Sequence, residues 1–181
     1  MALIEKINFT IEPLEAEYYD TTFKGCNFSG LKPYELVLEN CELIDCNLYG
    51  THFQGGLHEV TFRDCYMQGS HFAELNAFSS GLAFRGCNLN YADFNHLSMP
   101  GLIFQDCELR EALLDNARIR KSLFERCNLE RASFHRADLR DCDFTTSFNY
   151  TINPDECQLK GAQFSRENID GLLAHLGIKI F

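Results

Sequence analysis

Residues 84–144 read FRGCNLNYADFNHLSMPGLIFQDCELREALLDNARIRKSLFERCNLERASFHRADLRDCDF, and every fifth residue of this stretch is large and apolar. The centres are Phe84, Leu89, Phe94, Met99, Phe104, Leu109, Leu114, Ile119, Phe124, Leu129, Phe134, Leu139 and Phe144. A period of five fits neither a 3.6-residue helix nor a two-residue strand. Phenylalanine also returns every twentieth residue, at Phe84, Phe104, Phe124, Phe144 and Phe164. That longer period is the mark of a solenoid. A chain that turns a corner after each pentapeptide closes a square coil in four of them, and each centre then stacks on the residue twenty positions later.

The residue two before each centre supports this geometry. These positions hold Cys87, Ala92, Cys107, Ala112, Ala117, Ser122, Cys127, Ala132, Ala137 and Cys142, with Leu82, Leu97 and Leu102 as the larger members. None is charged. A narrow, close-packed interior takes one large and one small side chain per face, and the polar residues fall on the outward positions between.

Working toward the N-terminus, the same rule holds in shifted frames. Centres lie at Phe23, Phe28, Leu38, Leu43, Leu48 and Phe53, then at Phe62, Met67 and Phe72. The slips fall where Gly55-Gly56 and Ser79-Ser80-Gly81 stand, and these are loop-forming residues. Two loops are therefore expected to leave the rod, near 54–61 and 78–83. Their residues Gly55, Gly56, His58, Glu59, Ser79 and Ser80 are the expected partner-binding loops. Residues 1–20, with Leu3, Ile4, Ile7, Phe9 and Ile11, are expected to cover the first coil as a strand-like cap.

Segments such as CNLER, ASFHR and ADLRD resemble the pentapeptide-repeat family, whose consensus is A(D/N)LXX with Leu or Phe at the centre. The resemblance spans residues 21–164 and implies an all-β solenoid, a right-handed quadrilateral β-helix. The ending FSRENIDGLLAHLGIKIF is similar to the C-terminal segment of the Qnr and MfpA quinolone-resistance proteins. There a short helix after the last coil forms a homodimer. This resemblance implies binding to a type II topoisomerase, DNA gyrase or topoisomerase IV, with relief of quinolone poisoning.

In the tail, Ser165 is placed as an N-cap. Ile169, Leu172, Leu173 and Leu176 follow as one apolar stripe at helical spacing. Gly177 would end the helix, and 178–181, with Ile178, Ile180 and Phe181, reads as a short strand. So much apolar surface exceeds what a cap over the last coil needs, and a two-fold dimer through residues 165–181 is expected.

The chain has 181 residues and a formal net charge of −10. Residues 1–83 carry 4 Lys/Arg against 12 Asp/Glu, a net of −8, whereas residues 84–164 carry 10 against 12, a net of −2. An acidic rod can imitate the phosphate charge that dominates protein–DNA binding. Its candidate surface is Glu35, Glu39, Glu42, Asp45, Asp64 and Glu74. In the second half, residues twenty apart often carry opposite charge, as in Asp106/Arg126, Arg110/Glu130, Glu111/Arg131, Arg118/Asp138 and Lys121/Asp141. Such neighbours on adjacent coils offset one another. One column, Arg120, Arg140 and Lys160, keeps a single sign.

Nine cysteines invite a metal or disulfide reading. Each of Cys26, Cys41, Cys46, Cys65, Cys87, Cys107, Cys127, Cys142 and Cys157 stands two before a centre, so all nine are explained as small packing residues. No metal, cofactor or small molecule is expected. The six histidines show no HExxH spacing, no phosphate-binding glycine loop occurs, and a solenoid fills its own interior. The chain is thus read as non-enzymatic. With no signal-peptide pattern and no long apolar run, it is expected to be soluble and cytoplasmic, without direct nucleic-acid or membrane binding. Two function classes stand: a topoisomerase-interacting DNA mimic, and an interaction rod for an unrelated partner.

Overall fold

A computed structural model describes residues 2–179, which form a parallel β-solenoid. Face one of each coil holds β1 (Ala2–Glu5), β3 (Thr21–Lys24), β5 (Glu42–Ile44), β7 (Thr61–Arg63), β8 (Ala83–Arg85), β9 (Ile103–Gln105) and β10 (Leu123–Glu125), stacked in that order. Face four holds β2 (Glu17–Tyr19), β4 (Val37–Glu39) and β6 (Gly56–His58). All of these pairings are parallel. Single bridges such as Asn27↔Asn47 on face two and Asp93↔Leu113 on face three extend the ladder around the other sides.

The strands are short because the chain leaves the β region at each corner. Asp45, Asp64, Asp106 and Arg126 occupy one such corner on different coils, with φ of 52°, 53°, 53° and 50°. Left-handed backbone is tolerated best by Gly, Asn and Asp. Here it is held by the next coil: the N–H of Asp45 donates to the Arg63 carbonyl at 3.0 Å, and that of Asp64 to Arg85 at 2.8 Å.

Inside, the face-one rings stack flat. Successive centroids from Phe62 through Phe84, Phe104, Phe124 and Phe144 to Phe164 lie 5.1, 5.1, 4.8, 4.6 and 5.3 Å apart. Face-three rings stack in the same way, Phe53 on Phe72 at 4.9 Å and Phe72 on Phe94 at 4.7 Å. The two columns meet edge to face, as Phe72 meets Phe84 at 5.4 Å and 84°. Both arrangements are those favoured by the ring quadrupole.

Four features differ from the sequence reading. First, the N-terminal residues do cover the first coil with a strand, but they continue around it as a further coil of the rod. Ile4 pairs with Phe23 in β1–β3, Phe9 stacks on Phe28 at 4.7 Å, and Tyr18 pairs with Leu38.

Second, no loop leaves the rod near 54–61. Leu57 takes the core position opposite Leu38 one residue early, so that coil has 19 residues, and Gly56–His58 is the strand β6. Gly55 makes the tightening possible, since a Cβ there would lie 1.9 Å from the Leu36 carbonyl oxygen. Third, the next coil is longer, with Phe62 pairing Phe84 across 22 residues. The extra length lies before Ser79, which is itself buried. The expected 78–83 loop is thus displaced to the chain just after Phe72. Fourth, the tail forms two 3-10 turns, Ile169–Leu172 and Ala174–Leu176, in place of one α-helix. Gly177 does end the second, with φ 63°. Ile178 and Lys179 form no strand, and Ile180 and Phe181 lie outside the described residues.

Candidate partner-binding surface

The six acidic residues singled out in the sequence fall on three different edges. Asp45 and Asp64 sit one above the other at the corner after face one. Glu39 and Glu42 bracket the corner between faces four and one, and Glu42 is paired with Arg63 at 2.8 Å. Glu35 and Glu74 come together on the corner between faces three and four, where the coils after Leu43 and after Phe62 depart from twenty residues. They rim a groove of about 480 Å³ lined also by Tyr34, Val37, Gln54, Gly55, Gly56 and Asn76. Gln54 donates to Glu74 across it. Beside it lies a second groove of about 330 Å³ with an apolar floor of Leu14, Leu31, Pro33 and Leu36.

The residues expected as loops are built into this neighbourhood rather than projecting from it. His58 and Ser80 stack on face four with Nδ1 and Oγ 2.7 Å apart. The Ser79 hydroxyl accepts from the Leu57 N–H at 3.1 Å and donates to Asn76 Oδ1. Glu59 holds the corner below Gly81, and its carboxylate would touch any Cβ placed there. Two exposed aromatics escaped the sequence reading: Tyr34 is 77 % exposed and Phe78 is 87 % exposed. Their signal was available, since both are large rings off the five-residue frame.

In the second half the charges offset one another as the spacing predicts. Arg126 holds Asp106 at 2.6 Å, Arg110 holds Glu130 at 3.3 Å, and Arg131 holds Glu111 at 3.6 Å. Two pairs differ. Asp138 is taken by Arg140 at 2.6 Å and Arg120 at 3.8 Å instead of Arg118. Among the described residues no ion pair joins Lys121 to Asp141. The like-charged column is therefore relieved at its centre. The Arg140 hydrogen bonds hold the nearly buried Asp138 carboxyl below its ordinary range against the effect of burial.

The nine cysteines are free thiols, eight of them buried. Cys26, Cys46, Cys65, Cys87, Cys107 and Cys127 form one column, each donating to the carbonyl of the core residue one coil below. Packing alone is too weak a description, because every one of these thiols also closes a hydrogen bond. Away from that column, burial raises the Cys142 thiol to about 11.

The tail does two jobs. Leu172 packs against the core cluster. Gly171 lies so close to Tyr150 that a Cβ would come within 2.2 Å of its carbonyl oxygen, and its own carbonyl accepts from the Ile152 N–H. This part closes the last coil. Ile169, Leu176 and Ile178 remain 43 %, 54 % and 56 % exposed, and Leu173 is half-buried.

The model of the pentapeptide repeat region matches residues 16–94 and 81–164 of this chain. The chain belongs to the pentapeptide-repeat family. Among the solved structures it is similar to a trypsin-treated form of QnrB1, a plasmid-mediated fluoroquinolone resistance protein. That match has a TM-score of 0.68 and 17 % identity and covers 99 % of both chains. Full-length QnrB1 matches with a TM-score of 0.63 at 18 % identity over 98 % of each chain. At such identity the likeness is one of fold, the quadrilateral β-helix, carried from end to end. No curated protein matches the sequence.

Proposed function

We propose that this pentapeptide-repeat protein binds a type II topoisomerase, DNA gyrase or topoisomerase IV, in place of duplex DNA, and modulates it or protects it from quinolones. The observation that carries this reading is the end-to-end likeness to QnrB1, tail included. The charge distribution supports it, with a net of −8 in residues 1–83 and the exposed carboxylates Glu35, Glu39, Asp45, Asp64 and Glu74 along that half. Phosphate-like charge is what a DNA-binding groove selects. Nine stacked core positions, from Ile4 to Phe164, span roughly 38 Å at about 4.8 Å per step. Two copies joined through Ile169, Leu176 and Ile178 would reach about 75 Å, or about 22 base pairs at about 3.4 Å each. The reading assigns the protein no catalysis and places it in the cytoplasm, where its partner acts.

A second reading, an interaction rod for an unrelated partner, is favoured by the ion-pair ladder of the C-terminal half. Arg110, Arg126 and Arg131 neutralise the carboxylates a DNA mimic would present there. Supercoiling by gyrase, with and without a quinolone, separates the two. The first reading requires purified protein to inhibit supercoiling or to restore it in the presence of the drug. No effect in either assay leaves the second. Leu176→Asp with Ile178→Asp would place charges in the tail contact, and this variant is expected to stay folded, to lose the end-to-end tail contact and to act more weakly on gyrase. These positions suit the test better than Leu172, whose side chain belongs to the core.

A further inference from the structure

Face four has an ordered charge layout. Its first three coils present Glu17, Asp20, Glu39 and Glu59 and no Lys or Arg. Its last three present Arg118, Arg120, Lys121, Arg140 and Lys160 against Asp138 and Asp141. The two coils between carry Ser80, Gly81, Ser98, Pro100 and Gly101, which are uncharged and small. In a chain of net charge −10, a basic half-face calls for a physical role. Asp138 offsets Arg140 and Arg120. Arg118, Lys121 and Lys160 are exposed and have no ion-pair partner among the described residues.

We propose that face four is a self-association surface on which a second copy of this chain lies antiparallel, with the two-fold axis crossing between Ser80 and Ser98. Counting coils outward from that axis pairs Glu59 with Arg118 and Lys121, Glu39 with Arg140, and Glu17 and Asp20 with Lys160. Parallel copies would set acid against acid and base against base. A two-fold contact must be self-complementary, and this charge order is. The neutral coils bring no like charges together at the centre. Phe78, two residues before Ser80 and 87 % exposed, stands beside them. A ring of this kind near the axis is the anchor such contacts favour. The contact is separate from the tail and does not rest on topoisomerase binding.

The test uses the full chain carrying Leu176→Asp and Ile178→Asp, so that tail pairing does not contribute. Sedimentation at about 50 mM salt should show a dimer, weakened at least about tenfold at about 500 mM, where exposed charges are screened. Reversing the basic half (Arg118→Glu, Lys121→Glu, Lys160→Glu) should leave a folded monomer, as should reversing the acidic half (Glu17→Lys, Glu39→Lys, Glu59→Lys). Mixing these two variants should restore a one-to-one dimer, and both reversals in one chain should restore the homodimer. Phe78→Ala should weaken the parent dimer without altering its salt response. A parent that stays monomeric at low salt overturns the proposal, as does a dimer indifferent to either reversal. Binding of duplex DNA through Arg118, Lys121 and Lys160 without self-association would replace it with a polyanion site.

Discussion

The thiol of Cys127 donates to the carbonyl oxygen of Phe104, 3.4 Å away and one coil below. Cys107 does the same to Phe84 at 3.4 Å, and Cys65 to Leu43 at 3.3 Å. At the top of the column Ser147 repeats the bond to Phe124 at 2.7 Å. Elsewhere Thr51 and Ser70 donate to Phe28 and Leu48 at 2.8 Å each. What unites these inward positions is a small side chain with a donor.

Cys127→Ser should therefore be nearly neutral, within about 1 kcal/mol. Cys127→Val, which removes the donor from a buried carbonyl, should cost about 1–3 kcal/mol. Urea unfolding measures both, and the reverse order would contradict the hydrogen-bonding role.

Phe124 lies between Phe104 and Phe144 with no exposed surface. The ladders above and below fix the coil spacing, so the site cannot collapse. Phe124→Ala should cost about 3–5 kcal/mol. Lys160→Ala, on the outside, should stay within about 0.5 kcal/mol. Similar losses for the two would show that the core is not the column described.

Gly55→Ala would push a methyl against the Leu36 backbone. The shortened coil must open to accept it, and a cost above about 2 kcal/mol is expected, within the range of overpacked cores. Gly50, with φ 59° and open space around it, should accept Asn at under about 1 kcal/mol, because Asn tolerates that backbone region. Equal melting shifts for the two variants would refute the close approach at Gly55.

Stability should fall on both sides of neutrality, for different groups. Burial raises the Cys142 thiol from its ordinary value of 9.0 to about 11, so above pH 9.0 the unfolded chain releases a proton that the folded chain keeps. Its contribution is full below pH 9.0 and declines as pH rises toward 11. Asp138 is shifted downward, chiefly by the Arg140 hydrogen bonds. Its contribution is present above its ordinary value of 3.8 and is lost as pH falls through the lowered one. Melting temperature against pH should show both shoulders. Cys142→Ser should blunt the alkaline one, and Asp138→Asn the acid one.

The rod was legible in the sequence where the frame never slips. From Phe84 to Phe144 each centre repeats the same environment, and a period of five survives because nothing competes with it. Legibility failed where one residue replaced another's role. Leu57 arrives four positions after Phe53, so a strict count of five passes over it and reads a gap as a loop. The first coil was hidden by a different substitution: Tyr18 serves as a core centre, and its Tyr identity reads as a surface residue.

Asn128 shows a third kind of concealment. It stands on an outward position, yet it is only 4 % exposed because Glu108 and Asn149 bond to it from the coils on either side. Outward along one coil is not outward along the stack. Of the candidate surface, only the pairing of charges twenty apart was readable, and even there the two-residue reach of Arg140 to Asp138 displaced the expected partner. The gathering of Glu35 and Glu74 on one groove depends on coil lengths that no local spacing records.

Coils of 19 and 22 residues return to the same column, so Leu43, Phe62 and Phe84 remain in register although the chain between them differs in length. The corner between faces three and four acts as a slack joint. A coil one residue short and a coil two residues long both fit there with the neighbouring strands in register. That corner, just after Phe72, is where a foreign peptide could be spliced in, displayed from a rigid stem whose remaining rungs would not register its arrival.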